Sequence, residues 1–162
     1  MRKQAQINKS AWEYRAYEHW NNQATASEKA AYIKSDPKAR LRYHQKYFEN
    51  INGLRIANPC GSNGRIAVPL ALLGADVTVF DISDENKRYA LELAKEAGTN
   101  IQYIVGDFCE VDKAQYGDCF DIVYAEGGIL HYFSNLKDFI RLLYEITKQK
   151  GKLILRDRKS VV

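Results

Sequence analysis

The turn Asn58-Pro59-Cys60-Gly61-Ser62-Asn63-Gly64-Arg65 joins a short apolar strand directly to a helical stretch. Small residues at such a junction let a ligand reach free backbone N–H groups at a helix N-terminus. The dinucleotide fingerprint G-x-G-x-x-G is absent, because only Gly61 and Gly64 remain and Ile66 stands where another small residue would help close packing. Taken alone, an ordinary turn also accounts for the segment. Asp81 follows Gly64 by seventeen positions and closes a second strand. A carboxylate there accepts hydrogen bonds from both hydroxyls of a ribose; its plainer role is a helix-cap acid ahead of Ser83-Asp84. A third strand ends in Gly106-Asp107-Phe108. Asp107 can bond an exocyclic amine and Phe108 can pack on a base, or the two are a turn acid and a core ring. The conjunction carries the argument. Three successive strands bring polar residues to one carboxyl edge, where open α/β sheets bind ligands.

Alternating strands and helices must position these groups. The spacing predicts strands over 54–58, 76–81, 101–105, 120–125 and 152–156. Helices are predicted between them: Gly64 to Leu73, then one capped by Ser83 or Asp84 that runs to Ala97, then Leu136 to Lys148. Gly74 and Gly98 suit the left-handed helix-closing position. This alternation argues a doubly wound parallel sheet. The first fifty residues read as helical. Trp12, Ala16 and Trp20 follow an i, i+4, i+8 spacing that sets two large rings on one face. Thr25 to Lys34 reads as a second helix with Ser27 as its N-cap. Ser35-Asp36-Pro37 opens a third, with Pro37 at the first helical position. That helix runs through Ala39, Tyr43, Tyr47 and Phe48 to Asn52-Gly53.

The chain has 162 residues, 46% hydrophobic and 27% charged, which fits one domain and excludes wholesale disorder. No apolar run approaches the ~18 residues of a membrane span. The basic MRKQAQINKS start is followed by no apolar secretory segment. Cys60, Cys109 and Cys119 give neither a disulfide framework nor a zinc pattern, so the expectation is a reducing, cytoplasmic compartment and no metal. Residues 1–50 hold ten Lys/Arg against five Asp/Glu, and residues 51–150 hold ten against fourteen. A nucleic-acid binder would gather its cations on the folded body. The basic N-terminal segment therefore reads as a solvated helical face.

In order, these segments resemble a class I, Rossmann-like S-adenosylmethionine-dependent methyltransferase of small-molecule type. Arg55-Ile56-Ala57-Asn58-Pro59-Cys60-Gly61-Ser62-Asn63-Gly64-Arg65 is similar to that family's first motif, V-L-D-x-G-C-G-x-G-R. Val77 to Ser83 is similar to the second-strand motif, and Gly106-Asp107-Phe108 to the adenine-contact motif. Asp121 to Phe133 and Lys150 to Leu155 resemble the segments around the fourth and fifth strands. The resemblance implies strand order 3-2-1-4-5, with an N-terminal helical cap over residues 1–53 and a cofactor-binding domain over 54–162. It implies S-adenosyl-L-methionine, with S-adenosyl-L-homocysteine as product, held by Asn58, Cys60, Gly61, Ser62, Gly64, Asp81, Ile82, Asp107, Phe108 and Glu126. Two departures stand out. Asn58 replaces the motif's Asp, while Cys60 and Ser62 replace two glycines. The family also continues past its fifth strand with a helix and an antiparallel pair, whereas this chain ends at Asp157-Arg-Lys-Ser-Val-Val162. A sheet truncated there is expected to leave an open fifth-strand edge, flanked by Lys152, Arg156, Arg158 and Lys159, which gives either a homodimer that uses it or a marginally soluble fragment of a longer protein. The alternative is that Ser160 to Val162 folds back over part of that edge.

Methyl transfer is an in-line displacement governed by alignment, and a base is needed only for a protonated nucleophile. Glu126 and His131 are the candidate catalytic groups. Their plainer roles are a cofactor or loop hydrogen bond and a packed histidine. Trp12, Tyr17, Trp20 and Tyr132 are candidates for a substrate-side lid, or pack on the sheet edge. The expected partner is a small-molecule methyl acceptor, with no membrane. A binding module without turnover is the rival reading. A nicotinamide dehydrogenase is opposed by the missing glycine fingerprint. A nucleic-acid enzyme is opposed by Ala125-Glu126-Gly127-Gly128, which stands where many amino-directed enzymes carry Asn/Asp-Pro-Pro-Tyr/Phe.

Overall fold

Val77 to Phe80, broken only by Thr78, and Ile122 to Ala125 are apolar runs, as strands buried on both faces require. The computed structural model describes residues 1–157 (of Tyr43, the backbone alone) and joins these runs in one parallel sheet. The strands are β1 (Arg55–Pro59), β2 (Asp76–Asp81), β3 (Gln102–Val105), β4 (Phe120–Glu126) and β5 (Thr147–Arg156), in the order β3-β2-β1-β4-β5 that the family resemblance implies. Because side chains alternate across a strand, Ile56, Val79 and Tyr124 enter one core layer with Leu70 and Phe48. Ala57, Phe80 and Val123 face the other layer, with Phe139, Leu143 and Ile146. The chain order reverses between β1 and β4, which is where such sheets open a crevice.

Local capping explains the helix that frames this crevice. Among the helices α1 (Lys3–Glu13), α2 (Ala16–Gln23), α3 (Ala26–Ser35), α4 (Ala67–Leu72), α5 (Asp84–Ala97), α6 (Lys113–Tyr116) and α7 (Leu136–Ile146), α5 has the most complete ends. The Ser83 side chain accepts from the Asn86 N–H at 3.0 Å, and Gly98 closes the helix at φ 77°. A third apolar cluster packs Ala26, Ala30 and Ile33 of α3 against Tyr89 and Leu93 of α5.

Several boundaries differ from expectation. Trp12 and Trp20 do not share a helix, because Arg15 at φ 51° separates α1 from α2. Thr25, not Ser27, caps α3, through a reciprocal box with Glu28. The stretch Lys38–Tyr47 is a 3₁₀ helix interrupted at Arg42. The helix expected from Gly64 begins at Ala67, and α7 stops at Ile146. β5 starts at Thr147 and carries a register shift opposite Phe120 and Ile122. Gly151 permits the shift, since a Cβ there would lie 2.7 Å from Thr147 Cγ2. β5 is the sheet's edge, with Leu153 and Leu155 more than a third exposed. Arg158, Lys159 and Ser160 to Val162 lie outside the described residues. Among the described residues no helix is long and apolar enough to cross a membrane, and no group of three or more His, Cys, Asp or Glu is placed to hold a metal.

Candidate active site

The carboxyl ends of β1 to β4 open onto a cavity of about 370 Å³, within the roughly 300–1,000 Å³ typical of small-molecule sites. Its floor is the turn after β1. Cys60 (φ 54°) and Ser62 (φ 50°) adopt left-handed conformations without being glycine, at about 1–2 kcal/mol each. These are two of the three positions where the resembled motif carries glycine; Gly64 keeps the third. The surrounding bonds over-determine both residues, as strained binding turns require. Ser62 donates its N–H to Asp81 Oδ2 at 2.9 Å, and its carbonyl accepts the Tyr103 hydroxyl at 2.7 Å. Cys60 donates its N–H to the Phe80 carbonyl at 2.7 Å, and burial pushes its thiol pKa up. Gly61, Gly64 and Asn58 lie beneath the cavity and do not line it. A Cβ on Gly61 would meet Asn58 Oδ1 at 2.5 Å. Asn58 donates Nδ2 to the Tyr124 carbonyl at 2.8 Å, while its Oδ1 is buried without a partner.

Asp81 is buried at the end of β2, and desolvation raises its pKa despite its hydrogen bonds. Its Oδ1 accepts from the Ser83 N–H (3.1 Å) and Asn86 Nδ2 (3.3 Å). Oδ2 accepts the Ser62 N–H, and Asp81 lines the cavity. Ser83 is the helix cap, so Asp81 is not consumed in that role. Ile82 and Phe108 line the cavity as an apolar pair. Phe108 also packs edge-on against Phe80 and Phe139, as a core ring does.

Asp107 is where sequence reasoning fell short. Arg2 grips it with a fork, Nε to Oδ2 at 2.8 Å and Nη2 to Oδ1 at 2.9 Å, and the Cys109 N–H adds a third bond at 3.0 Å. Burial alone would raise the Asp107 pKa, but Arg2 and Cys109 outweigh it and hold the carboxyl below its ordinary value. The stability from this pair is complete above the ordinary Asp pKa of ~3.9 and is lost as pH falls through the depressed folded value. Arg2→Ala should therefore melt below the parent at neutral pH, with the gap closing as pH falls from the ordinary Asp range through the depressed Asp107 value. Thermal melts across that range check this, and a pH-independent gap would rule it out.

The N-terminal helices supply the cavity's remaining wall. Trp12 lines it and meets Tyr132 edge-on at 5.8 Å. Asn8 donates to the Tyr132 carbonyl at 3.1 Å, and Lys9 pairs with Asp84 at 2.7 Å. Trp20 also lines the cavity and donates Nε1 to Asn86 Oδ1 at 2.7 Å, one bond from Asp81. Tyr17 stands outside. Its hydroxyl donates to Glu92 at 2.6 Å, and Arg88 lies over its ring.

At the end of β4, Glu126 is held by Arg65 (3.2 Å) and Arg156 (3.6 Å). His131 lines the cavity from a 3₁₀ turn, its ring tilted 51° against Tyr132 with centroids 4.0 Å apart. A further pair that the sequence did not signal lies behind β4. His44 Nδ1 and the Tyr124 hydroxyl are 2.6 Å apart. Burial, with help from Arg156, lowers the His44 pKa.

Comparison with known proteins gives this geometry relatives. The family described as "Methyltransferase domain" matches residues 59–155. A "Ubiquinone biosynthesis O-methyltransferase" from Rickettsia conorii is 28% identical over 132 residues, covering 77% of this chain and 44% of that protein. A protein of the same description from Rhizobium etli is 33% identical over 93 residues, covering 57% of this chain and 37% of its own. The chain thus spans less than half the length of these relatives. Among solved structures, magnesium protoporphyrin IX methyltransferase from Synechocystis PCC 6803, with bound S-adenosylhomocysteine, superposes with a TM-score of 0.65 at 17% identity. It covers 88% of this chain and 68% of its own.

Proposed function

From the premise that this chain belongs to the methyltransferase domain family, we propose that it transfers a methyl group from S-adenosylmethionine to an oxygen of a small-molecule acceptor. The observation that carries the reading is the convergence of Asp81, Asp107 and Glu126 on one cavity over a strained small-residue turn. S-adenosylmethionine supplies a methyl on a sulfonium, an electrophile that needs alignment more than activation. Asp81 offers its carboxylate to the ribose hydroxyls. Ile82 and Phe108 sandwich the adenine. Asp107, held by the Arg2 fork, lies where it could meet the adenine amine. The methionine portion lies over the Asn58–Gly64 turn. Trp12 and Trp20 act as a lid that keeps water from the reacting centre, with Tyr132 beside them. An oxygen acceptor loses a proton, and Glu126 or His131 receives it. The names of the relatives favour oxygen as the attacking atom.

The rival reading is a cofactor-binding module without turnover. Calorimetric titration of the full chain with S-adenosylmethionine and S-adenosylhomocysteine decides the first question. Saturable 1:1 binding is expected, and its absence would overturn the proposal. Transfer of labelled methyl to a mixture of phenols and hydroxyacids separates enzyme from module. The β5 edge remains the surface we propose for contact with a second copy.

A further inference from the structure

Behind the shared wall of Arg65, Glu126, Gly127 and Gly128 lies a second cavity of about 240 Å³. Its charge is unbalanced. Five cationic side chains line it (Lys29, Arg40, Arg42, Arg65 and Arg156) against the carboxylates Glu126 and Asp157. Arg65 and Arg156 are spent on Glu126. Among the described residues, Lys29, Arg40 and Arg42 form no ion pair with a carboxylate, the nine pairs lying elsewhere. Unpaired cations facing one small cavity raise the local anion concentration and strengthen charge-assisted hydrogen bonds there.

Two further observations point to a ligand. The Arg40 guanidinium is stacked 3.4 Å over the Tyr32 ring, which fixes its plane. Its Nε is buried with no hydrogen-bond partner, a donor whose desolvation only an incoming acceptor would offset. Arg42 is held at φ 48°, ψ −123°, a region costly for any residue with a side chain. Such outliers cluster at ligand clamps. The wall between the cavities bears no side chain at Gly127 and Gly128 (φ 104° and 75°), so the two spaces approach one another across bare backbone.

We propose that this second cavity is the acceptor subsite, and that the acceptor carries a carboxylate or phosphate gripped by Arg40, Arg42 and Lys29. The anionic end then lies away from the cofactor, with the nucleophilic oxygen at the glycine wall beside Glu126. The subsite rests on the methyltransferase reading for its name, but anion binding does not.

The test follows arginine Nε–H resonances of the full chain during titration with inorganic phosphate and with benzoate, at ionic strength held constant with chloride. A saturable shift at Arg40 Nε is expected from at least one of the two, with affinity at least tenfold weaker in Arg42→Gly; in Arg40→Gln, where that resonance is gone, the Arg42 Nε–H reports a loss of the same size. Arg42→Gly removes the cation while relaxing the backbone, so loss of binding cannot be assigned to unfolding. Affinity for S-adenosylhomocysteine should stay within twofold in both variants. No saturable shift, or one that survives both substitutions, overturns the proposal. If the anion shift behaves as expected but S-adenosylhomocysteine does not bind, the methyltransferase reading falls and the anion site stands alone.

Discussion

Asp81→Ala should weaken S-adenosylhomocysteine binding by at least tenfold, and by about a hundredfold if both ribose hydroxyls use the carboxylate. A hydrogen bond to a charged group is worth roughly 1.5–3 kcal/mol, and each ~1.4 kcal/mol is tenfold. The substitution acts twice. It removes the ligand's acceptor and releases Ser62 N–H, Ser83 N–H and Asn86 Nδ2 from their common partner. Ser62 then loses one of the two bonds that hold it left-handed. The fold should respond less than the affinity, because burial already disfavours the Asp81 charge. Calorimetry alongside thermal melting separates the two effects. Parent-like affinity would remove Asp81 from the site.

Deleting residues 1–20 should cost a comparable amount. The deletion strips Arg2, Asn8, Trp12 and Trp20 from the cavity wall. If about 100 Å² of ligand apolar surface returns to water, at ~25 cal/mol/Å² the loss is about 2.5 kcal/mol, or tens-fold in Kd. Freed from Arg2, Asp107 could bind the adenine amine better, which offsets part of this. Trp20→Phe guards against a deletion that fails to fold, since it keeps an aromatic ring there while removing the bond to Asn86 and part of the indole's area. It should weaken binding a few-fold. Unchanged affinity in both variants would reduce the segment to a structural appendage.

What was legible in the sequence was local. Ser83 and Gly98 announce the ends of α5 because caps involve residues within one turn of each other, and the strand runs place Asp81 and Asp107 at one edge. The Arg2–Asp107 fork joins residues 105 positions apart, and no spacing signals it. The break at Arg15 has no glycine or proline to mark it. The segment 38–47 has helical composition, yet it winds as 3₁₀ around Arg42. Arg40 and Arg42 of that segment, with Lys29 of α3, were read as part of a solvated face and instead line a cavity. Cys60 and Ser62 were visible as departures from glycine. That Asp81 and Tyr103 hold Ser62 in a glycine's conformation was not.

The break at Arg15 has a kinetic consequence. α1 buries only Ala5 and is tied down by Arg2, Asn8, Lys9 and Glu13 at points along its length. A helix with so little apolar anchorage, and a discontinuity at its exit, can lift as a unit at far lower free energy than global unfolding. Its amides would then exchange with solvent deuterium ahead of those in β1 and β4. A molecule lodged beneath it leaves when the helix lifts, so residence time is set by that opening as much as by the contacts beneath it.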